Sequence, residues 1–547
     1  MRKPTMETSK LGGLSPVLLS IIVAAFIMAA YNNTFWGKAQ RIFEGNTLHV
    51  ALFGLAVFGL VLFIIALFSN KWLQKPFLIL LLMTGGVSSY YMDTLGVMID
   101  RDMIQNVMTT TMQEGKHLIT FGFISHVVIY AIIPSLFVLL VKVKRLPFLK
   151  ALIRQGILAV VAFALFAGLL MANFKNFSGA IHDNKDLMGS FQPGAPLSST
   201  IRYANLVLNT RDIVLQPRGE DAVKGPLITA AQKPVLTVIM VGETARAQNF
   251  SLLGYDRDTN PELQALRSDI AVFDDVRSCG TATATSLPCM FSRFGRGEYS
   301  YEAGLANENL LDILAHAGVK VEWFDNNTGD KGIAEQIGGY TSLTYLKDAE
   351  FCDVGECNDG ILLKTLKEKA ATITEDTVLV FHQIGSHGPS YFLRYPKEYE
   401  RFTPACNESE LKKCSSEEIT NTYDNTIAYT DHILAETIKF LQAQDNVIPA
   451  MFYLSDHGES LGENGIYLHG TPYFMAPDTQ TRVPMILWFS DAYKNAFGLD
   501  PACLDSRAKQ PATHENMFHT ILGMMDITTN EKTAGLDVVS ACRAASE

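Results

Sequence analysis

The chain has 547 residues, of which 48% are hydrophobic and 18% charged, and its mean hydropathy of +0.13 lies between the values of soluble and membrane proteins. Its charge is divided unevenly: residues 1–174 carry 14 Lys and Arg against 6 Asp and Glu, whereas residues 175–547 carry 31 against 50. Because nucleic-acid phosphates are bound through clustered basic side chains, the acidic second part excludes a nucleic-acid partner. The composition also excludes a disordered or collagen-like chain, so we expect two parts that fold in different solvents.

Apolar stretches in the first part have the length of membrane-spanning helices. The clearest covers residues 48–68, which hold no charged side chain, and a helix of that length spans the roughly 30 Å hydrocarbon core. A single stretch is also compatible with a buried core helix, and the first one with a signal peptide, but a succession without a cleavage site favours retained spans. We therefore predict a five-helix transmembrane domain over residues 1–174, with spans near 14–35, 48–69, 76–98, 119–141 and 155–174.

The basic residues of the loops predict the orientation of these spans. The N-terminus and the second and fourth loops together hold ten Lys and Arg, against four in the other loops. Because Lys and Arg accumulate on the cytoplasmic side, we expect a cytoplasmic N-terminus. Five crossings then place the chain after residue 175 outside the cytoplasm.

The cysteines agree with that topology. All eight lie in the second part, and their even number is typical of an oxidising compartment. No CxxC pair is present, which disfavours a zinc ribbon. Other connectivities remain formally open, but short spacings favour the pairs Cys279–Cys289, Cys352–Cys357 and Cys406–Cys414, which leaves Cys503–Cys542.

The second part predicts an α/β fold. Residues 175–232 are polar and contain several prolines, which indicates a connector along the membrane surface ahead of a folded domain at 233–547. Helical patterns follow, one closed by Gly318 and another starting at Asn421 and Thr422. Because they alternate with β-branched runs, we expect a mostly parallel central sheet. The predicted strands cover 235–241, 319–324, 377–381 and 451–454.

Carboxylate and imidazole side chains follow these strands. Glu243 comes after the first, His387 after the third, and Asp456 with His457 after the fourth. Because ligands of such sheets bind beyond the carboxyl ends of the strands, we expect these side chains to converge. They are the ligands that zinc takes, although Mn and Mg remain open. His469, beyond a Gly-rich loop, is able to return to the same edge of the sheet.

A candidate nucleophile lies in the hydroxyl-rich run at residues 278–289. This run is bounded by Cys279 and Cys289, and Pro288 is expected in the first turn of a helix. A hydroxyl there would face the positive end of that helix, which suits a phosphate, and a metal ion would lower its pKa. An ordinary Thr-rich capping turn is the alternative.

Short motifs lie in a fixed order along the second part of the chain, at 242–246, 249–251, 279–283, 385–389 and 455–462. They resemble those of the lipid A phosphoethanolamine transferases, inner-membrane enzymes of Gram-negative bacteria associated with polymyxin resistance. The resemblance covers nearly the whole chain and implies a periplasmic catalytic domain of the alkaline phosphatase superfamily at 233–547. One departure is visible: many members carry a further Cys pair in the segment that matches 325–336, where this chain has none.

The resemblance also implies a reaction and its participants. Phosphatidylethanolamine would be the donor and a lipid A phosphate the acceptor, with Thr283 as the nucleophile that carries phosphoethanolamine between them. The enzyme would be a monomer with one tightly bound zinc ion, and a second ion during turnover remains open. Zinc would be held by Glu243, Thr283, Asp456 and His457, whereas His387, His469, Asn327 and Lys331 would meet the phosphoethanolamine or a second metal.

The loop at residues 100–116 provides a candidate donor site. Asn106, Thr110 and Glu114 recur at intervals of four, so on a helix they share one face. That spacing alone indicates a solvated face. The family resemblance implies donor-binding residues here, with Glu114 attracting the ethanolammonium group.

Three rival interpretations remain. A sulfatase is suggested by residues 289–293, but Phe291 stands at the proline position of the C-x-P-S-R signature and a disulfide-bonded cysteine cannot become formylglycine. Another transferase of the superfamily would move glycerol phosphate or phosphoethanolamine to a different periplasmic glycan or glycolipid. A non-enzymatic five-span receptor would use the metal site only for stability.

Overall fold

The computed structural model divides the chain into two compact units. The membrane unit comprises Met1–Arg101 and Phe121–Arg202, and the α/β unit comprises Asp102–Thr120 and Tyr203–Glu547. The short segment 102–120 thus groups with the α/β unit although apolar helices flank it in sequence. The structure describes residues 13–144, 147–184, 186–344, 346, 348–353 and 356–543.

Helices of the membrane unit follow the predicted spans. Among the described residues, four are long and apolar enough to cross a membrane: Thr47–Leu67, Gln74–Leu95, Phe121–Leu140 and Phe148–Ala172. The third contains a π-helical turn at Val128–Ile132. The first three agree with the predicted stretches to within three residues at either end, because an uninterrupted apolar run of this length has few other ways to satisfy its backbone in lipid. The fourth begins seven residues before the predicted residue 155.

The first predicted span is not one straight helix. It consists of Pro16–Ala30 and Asn33–Ile42, which are bent by 70° to each other, so a fifth crossing requires counting this pair as one span. The break lies at Asn32, whose side-chain amide donates to Ile27 O at 2.9 Å and to Gln192 O at 3.0 Å. The span predicted near 14–35 is thus interrupted in the structure, because this buried amide competes for helix carbonyls.

Glycines allow the membrane helices to approach closely. A Cβ atom on Gly59 would lie 3.0 Å from Ala162 O, and one on Gly86 would lie 2.6 Å from Ala131 Cβ. Small residues at such crossings permit close packing between helices in lipid. The residues predicted as a connector begin with the helices Phe174–Asp183, Asp186–Gly189 and Gly194–Thr210.

The α/β unit is built on a seven-stranded sheet. Its strands are β1 Val235–Gly242, β2 Ile270–Val272, β3 Lys320–Asp325, β4 Tyr340–Ser342, β5 Thr377–His382, β6 Ile448–Ser455 and β7 Met485–Phe489. Their order across the sheet is β2-β7-β6-β1-β5-β3-β4, and all neighbours are parallel except β7, which pairs antiparallel with both β6 and β2. This confirms the predicted mostly parallel sheet.

Both faces of this sheet are covered: every residue of β1, β5 and β6 is buried, whichever face its side chain points to. The longest helix begins at Ser416 rather than at the predicted Asn421 and Thr422, since Ser415 and Glu418 form a capping box. The helices of the sheet domain are Pro226–Ala230, Pro261–Ala265, Thr283–Phe291, Tyr301–Ala306, Leu310–His316, Gly360–Ala370, Ser416–Gln442, Asp478–Thr481, Asp491–Phe497, Pro501–Ala508 and Glu515–Met524.

Short ribbons and disulfides brace the loops around the sheet. The structure pairs the eight cysteines as their spacing predicts: Cys279–Cys289, Cys352–Cys357, Cys406–Cys414 and Cys503–Cys542. The two-stranded ribbons are Val223–Lys224 with Ile527–Thr528, Val276–Arg277 with Ala512–Thr513, Cys352–Asp353 with Glu356–Cys357, and Ser460–Leu461 with Tyr467–Leu468.

Candidate active site

Three ionisable side chains meet at the carboxyl end of the sheet. Glu243 follows β1, and Asp456 and His457 follow β6. These strands are parallel neighbours in which Gly242 pairs with Ser455, so the register brings the next residue of each strand to the same level. One ligand atom from each of the three residues lies within 4.8 Å of the others, and all three side chains are buried.

The cluster fits a divalent cation. Asp456 Oδ1 accepts the N–H groups of Thr244 and His457 at 3.2 and 2.7 Å, whereas its buried Oδ2 accepts no hydrogen bond from the described residues. Burial raises the pKa of Asp456 and, with the neighbouring His469 and His387, lowers the pKa of His457. Two buried carboxylates beside an imidazole held neutral lack positive charge, which zinc would supply.

The tautomer of His457 follows from its hydrogen bonds. Its Nδ1 lies 2.9 Å from Gly458 O, so this nitrogen carries the proton and donates to the carbonyl. Nε2 therefore keeps its lone pair, at 3.4 Å from Glu243 Oε1 and 3.3 Å from Asp456 Oδ2. A lone pair aimed at two carboxylates is the arrangement of a metal-binding histidine.

Thr283 lies at the same point. Its Oγ1 is 3.2 and 3.1 Å from the two carboxylate oxygens of Glu243 and 3.3 Å from His457 Nε2. Thr283 is also the first residue of the helix Thr283–Phe291, whose N-terminus favours negative charge. Nearby Thr281 instead donates its hydroxyl to Thr471 O at 2.7 Å.

The predicted position of Pro288 was wrong. It lies inside the helix Thr283–Phe291 and not in its first turn. The helix tolerates it because Leu287, Met290 and Phe291 are fully buried in the core. Tertiary packing thus outweighs the missing backbone donor, and Thr283 rather than a residue next to the proline begins the helix.

His387 and His469 lie beside the cluster. The ring of His469 has its centroid 4.5 Å from that of His457 and 5.5 Å from that of His387. His469 Nδ1 lies 3.4 Å from Glu459 Oε2, and Glu459 is fully buried. The structure therefore gathers both predicted histidines beside the cluster of Glu243, Asp456 and His457. It adds the carboxylate of Glu459, which sequence reasoning did not select.

Asn327 and Lys331 follow β3. The Asn327 amide donates to Glu243 Oε2 at 2.6 Å and to Gln383 O at 2.8 Å, so it orients the Glu243 carboxylate. Lys331 Nζ donates to both the backbone oxygen and the hydroxyl of Thr328 at 2.8 Å. These bonds keep the ammonium group of Lys331 close to its own loop.

Sequence reasoning missed a buried histidine–aspartate pair beside the cluster. His382 Nδ1 lies 2.9 Å from Asp325 Oδ2, and His382 Nε2 lies 3.9 Å from Glu243 Oε2. Burial raises the pKa of Asp325, but His382 outweighs it and the net shift is downward. Both residues end neighbouring strands and pair in register. A search for ionisable residues at strand ends would have found them.

His514 is a second residue that the motifs did not indicate. Its Nδ1 accepts the N–H of Cys279 at 3.1 Å, and its Nε2 donates to Ser455 O at 3.0 Å. Burial lowers its pKa to about 3, so it stays neutral and keeps this tautomer. The Ser286 hydroxyl donates to Asp456 O in the same network. His514 thus ties the loop before Thr283 to the end of β6.

The predicted donor loop is not a single helix. It forms the helices Arg101–Thr109 and Met112–Gly115, with Thr110 between them. The hydroxyl of Thr110 donates to Asn106 O at 2.7 Å, and β-branched residues whose hydroxyls bond back to the helix weaken its continuation. Asn106 and Thr110 stay in contact, whereas the side chain of Glu114 lies outside the described part of the structure.

Comparisons with known proteins agree with this geometry. One family profile, described as Sulfatase, matches residues 236–527. A second, described as Phosphoethanolamine transferase EptA/EptB, matches residues 57–207. The solved integral membrane phosphoethanolamine transferase EptA from Neisseria meningitidis superimposes with a TM-score of 0.94 at 34% identity, covering 97% of this chain and 100% of that one. The fold and site therefore define a membrane-embedded member of the alkaline phosphatase superfamily.

Curated relatives narrow this class. Phosphoethanolamine transferase EptA of Escherichia coli K12 is 36% identical over 535 residues, covering 96% of this chain and 97% of that protein. Phosphatidylethanolamine transferase Mcr-1 of Escherichia coli is 36% identical over 536 residues, covering 95% and 96%. The chain belongs to the EptA family of phosphoethanolamine transferases. The Cys279–Cys289 disulfide removes the cysteine that a sulfatase would oxidise.

Proposed function

We propose that this protein transfers phosphoethanolamine from phosphatidylethanolamine to a phosphate group of lipid A through a phosphoethanolamine adduct on Thr283. The observation that carries the proposal is the position of Thr283 Oγ1, which lies within 3.3 Å of both Glu243 and His457. Membership of the EptA family supports the donor and the acceptor. The product would carry less negative charge, which weakens attraction for polymyxins and other cationic peptides.

Zinc is the proposed cofactor. Glu243, Asp456, His457 and the Thr283 hydroxyl would hold it, and when bound it would favour the ionised form of that hydroxyl and offset charge on phosphate oxygens. The orphaned Oδ2 of Asp456 supports a cation at this position. Asn327 holds one ligand carboxylate in place through its 2.6 Å hydrogen bond to Glu243.

In the first half-reaction, the Thr283 hydroxyl would lose its proton, and its oxygen would attack the phosphorus of the donor. A bond forms between Thr283 Oγ1 and phosphorus, and the bond from phosphorus to the glycerol oxygen breaks. That oxygen takes up a proton, so diacylglycerol leaves. His387 and His469, which lie next to His457, are the groups available to supply the proton or to hold a second metal ion.

In the second half-reaction, a phosphate oxygen of lipid A would attack the same phosphorus. The bond between Thr283 Oγ1 and phosphorus breaks, and the threonine recovers its hydroxyl proton. The helix N-terminus at Thr283 supports negative charge in both steps. No water is consumed, so the reaction is a transfer and not a hydrolysis.

The proposal includes the location of the protein. The apolar helices support a multi-pass protein of the bacterial inner membrane. An excess of basic residues in alternate loops supports a cytoplasmic N-terminus, and four disulfides support a periplasmic catalytic domain. We further propose that the enzyme acts as a monomer.

The adduct provides the direct test. Protein purified from Gram-negative cells is digested, and the peptide containing residues 280–291 is analysed by mass spectrometry. We expect phosphoethanolamine on Thr283 and its loss in Thr283→Ala, with the added group also missing from lipid A of the same cells. An adduct on Thr281 or Thr285, or one that persists in Thr283→Ala, would contradict the assignment. Thr285→Ala serves as the matched control, with lipid A still modified.

A further inference from the structure

The hairpin closed by Cys352–Cys357 carries a carboxylate that belongs to no motif discussed so far. Glu356 lies on the second strand of this ribbon, paired with Asp353 on the first. Its side chain is 17% exposed and therefore largely withdrawn from solvent. A carboxylate in that position needs partners, and Glu356 finds them in two separate segments of the α/β unit.

One oxygen of Glu356 faces the segment 102–120. Glu356 Oε1 lies 2.8 Å from His117 Nε2 and 3.8 Å from Lys116 Nζ. The same segment reaches the active site, because the Met103 methyl group lies against Gly470, the residue after His469. The bond from His117 to Glu356 therefore anchors one end of a segment whose other end borders the catalytic histidines.

The second oxygen of Glu356 faces the loop that carries His387. Arg394 Nη1 donates to Glu356 Oε2 at 2.8 Å, and Arg394 Nε donates to the His387 carbonyl at 2.9 Å. The Arg394 side chain is only 2% exposed, so the carboxylate of Glu356 is needed to compensate its buried positive charge. A single rigid guanidinium thus connects Glu356 to the backbone of an active-site residue.

The charges in this network are complementary. Burial alone would raise the pKa of Glu356, but the hydrogen bond from His117 and the charge of Arg394 outweigh it and lower that pKa to about 2. Glu356 is therefore ionised at any pH at which the enzyme operates. Charge-assisted hydrogen bonds of this kind are stronger than neutral ones and also more directional.

A second carboxylate of the same hairpin region holds the opposite end of the His387 loop. Asp359 accepts the N–H groups of Ile384 and Gly385 at 2.9 and 3.0 Å. It also accepts the Asn326 amide at 2.9 Å, which ties the loop after β3 to the same carboxylate. Asp359 and, through Arg394, Glu356 thus hold the His387 loop at two points, and Glu356 adds a link to the segment 102–120.

We propose that Glu356 is a positioning residue that joins the segment 102–120 to His387 through Arg394. One of its oxygens holds the segment 102–120 through His117, and the other holds the His387 backbone through Arg394. The proposal rests on the proposed role of His387 at the phosphoethanolamine group, because Glu356 acts only through its partners.

Steady-state transfer by the full-length enzyme tests the link. Purified protein in lipid nanodiscs is given labelled phosphatidylethanolamine and lipid A, and kcat and KM for the donor are measured separately. We expect Glu356→Gln to lower kcat/KM about tenfold, because charge is lost on both sides while shape is kept. Asp353→Asn, on the facing strand, is exposed and serves as the matched control with wild-type kinetics.

The two sides of the link are separated by further variants. His117→Ala should raise KM for the donor severalfold with little change in kcat, and His117→Gln, which still donates a hydrogen bond, should restore KM. In the Glu356→Gln background, His117→Ala should have no additional effect, since the two residues act as one unit. A merely structural role would lower the amount of folded protein and leave kcat and KM unchanged.

Two outcomes would overturn the inference: wild-type kinetics in Glu356→Gln, or effects of Glu356→Gln and His117→Ala that multiply fully in the double variant. Thr283→Ala, assayed alongside, separates this failure from that of the proposed function. Transfer by Thr283→Ala would reject the threonine mechanism. An inactive Thr283→Ala together with an unaffected Glu356→Gln would reject only the role of Glu356.

Discussion

The two units of this protein place polar and apolar groups in opposite ways. In the membrane unit, large apolar side chains face outward, with Leu140 76% and Val160 69% exposed. In the α/β unit, ionisable side chains are withdrawn, and Glu243 and Asp456 are completely buried. Lipid accepts the first arrangement without cost, whereas the second is stable only when each charge has a partner.

This difference shows where function resides. Outward-facing Leu and Val are what any span requires, so they say little about chemistry. A buried carboxylate is expensive, and it persists where a network or a cation compensates for it. The Asp359 and Glu356 carboxylates are compensated by hydrogen bonds and by Arg394, but Asp456 retains an unpaired oxygen. That unpaired oxygen, beside Glu243 and His457, supports the proposed metal site.

The largest expected effect on transfer comes from removing the negative charge of Asp456, one of the proposed metal ligands. Asp456→Asn keeps the shape and the Oδ1 acceptor but removes the negative charge, so we expect transfer to fall by at least about 100-fold and bound zinc to be lost. Zinc content per protein is measured by elemental analysis and compared with that of Asp445→Asn, an exposed control. Full zinc occupancy and activity in Asp456→Asn would show that Asp456 does not differ from the other buried carboxylates and is not a metal ligand.

Next in size is the effect of the disulfides. Each bridge stabilises the fold by roughly 2–4 kcal/mol, but Cys279–Cys289 also frames Thr283. We therefore expect Cys279→Ser to lower transfer more than Cys503→Ser when the two variants are compared at equal protein levels. Thermal unfolding in detergent shows whether both lose similar stability. Equal activities would mean that the loop around Thr283 keeps its geometry without its bridge.

In the membrane unit, the close packing of helices at Gly86 can be tested by its effect on stability. Gly86→Ala places a methyl group 2.6 Å from Ala131 Cβ, which should destabilise the unit by about 1–3 kcal/mol. In Gly156→Ala the added methyl meets no described atom within 4 Å, so its melting temperature should be unchanged or slightly higher. Both melting temperatures are measured in detergent. A destabilised Gly156→Ala beside an unaffected Gly86→Ala would contradict the helix crossing.

The smallest effect is expected at the predicted donor loop. Glu114→Gln keeps shape and removes charge, but its amide oxygen still accepts a hydrogen bond from the ethanolammonium group. The loss should therefore be about 1 kcal/mol, so transfer should fall by roughly fivefold or less. Turnover of a small soluble phosphodiester by the same full-length protein should not change, since that substrate lacks the lipid. Unaltered lipid A modification in cells that express Glu114→Gln would remove this residue from the donor site.

Membrane spans and disulfides were predictable because their signals are local. A run of 20 apolar residues limits the backbone to a helix in lipid, and cysteines a few residues apart have few alternatives. The break at Asn32 was not predictable, because it depends on Gln192, which is distant in sequence. The start of the long helix at Ser416 was readable in principle, since Ser415 and Glu418 form a known capping pattern.

By itself the sequence determined the α/β class, the oxidising compartment and the residues at the strand ends, since alternation of strands and helices and the spacing of motifs are properties of neighbouring residues. Tertiary structure alone decided that β1 and β6 are neighbours, and therefore that Glu243 meets Asp456. It also brought His382 to Asp325 and Glu356 to Arg394. Partners far apart in sequence leave no periodic pattern, because only the packing of the sheet and its loops brings them within hydrogen-bonding distance.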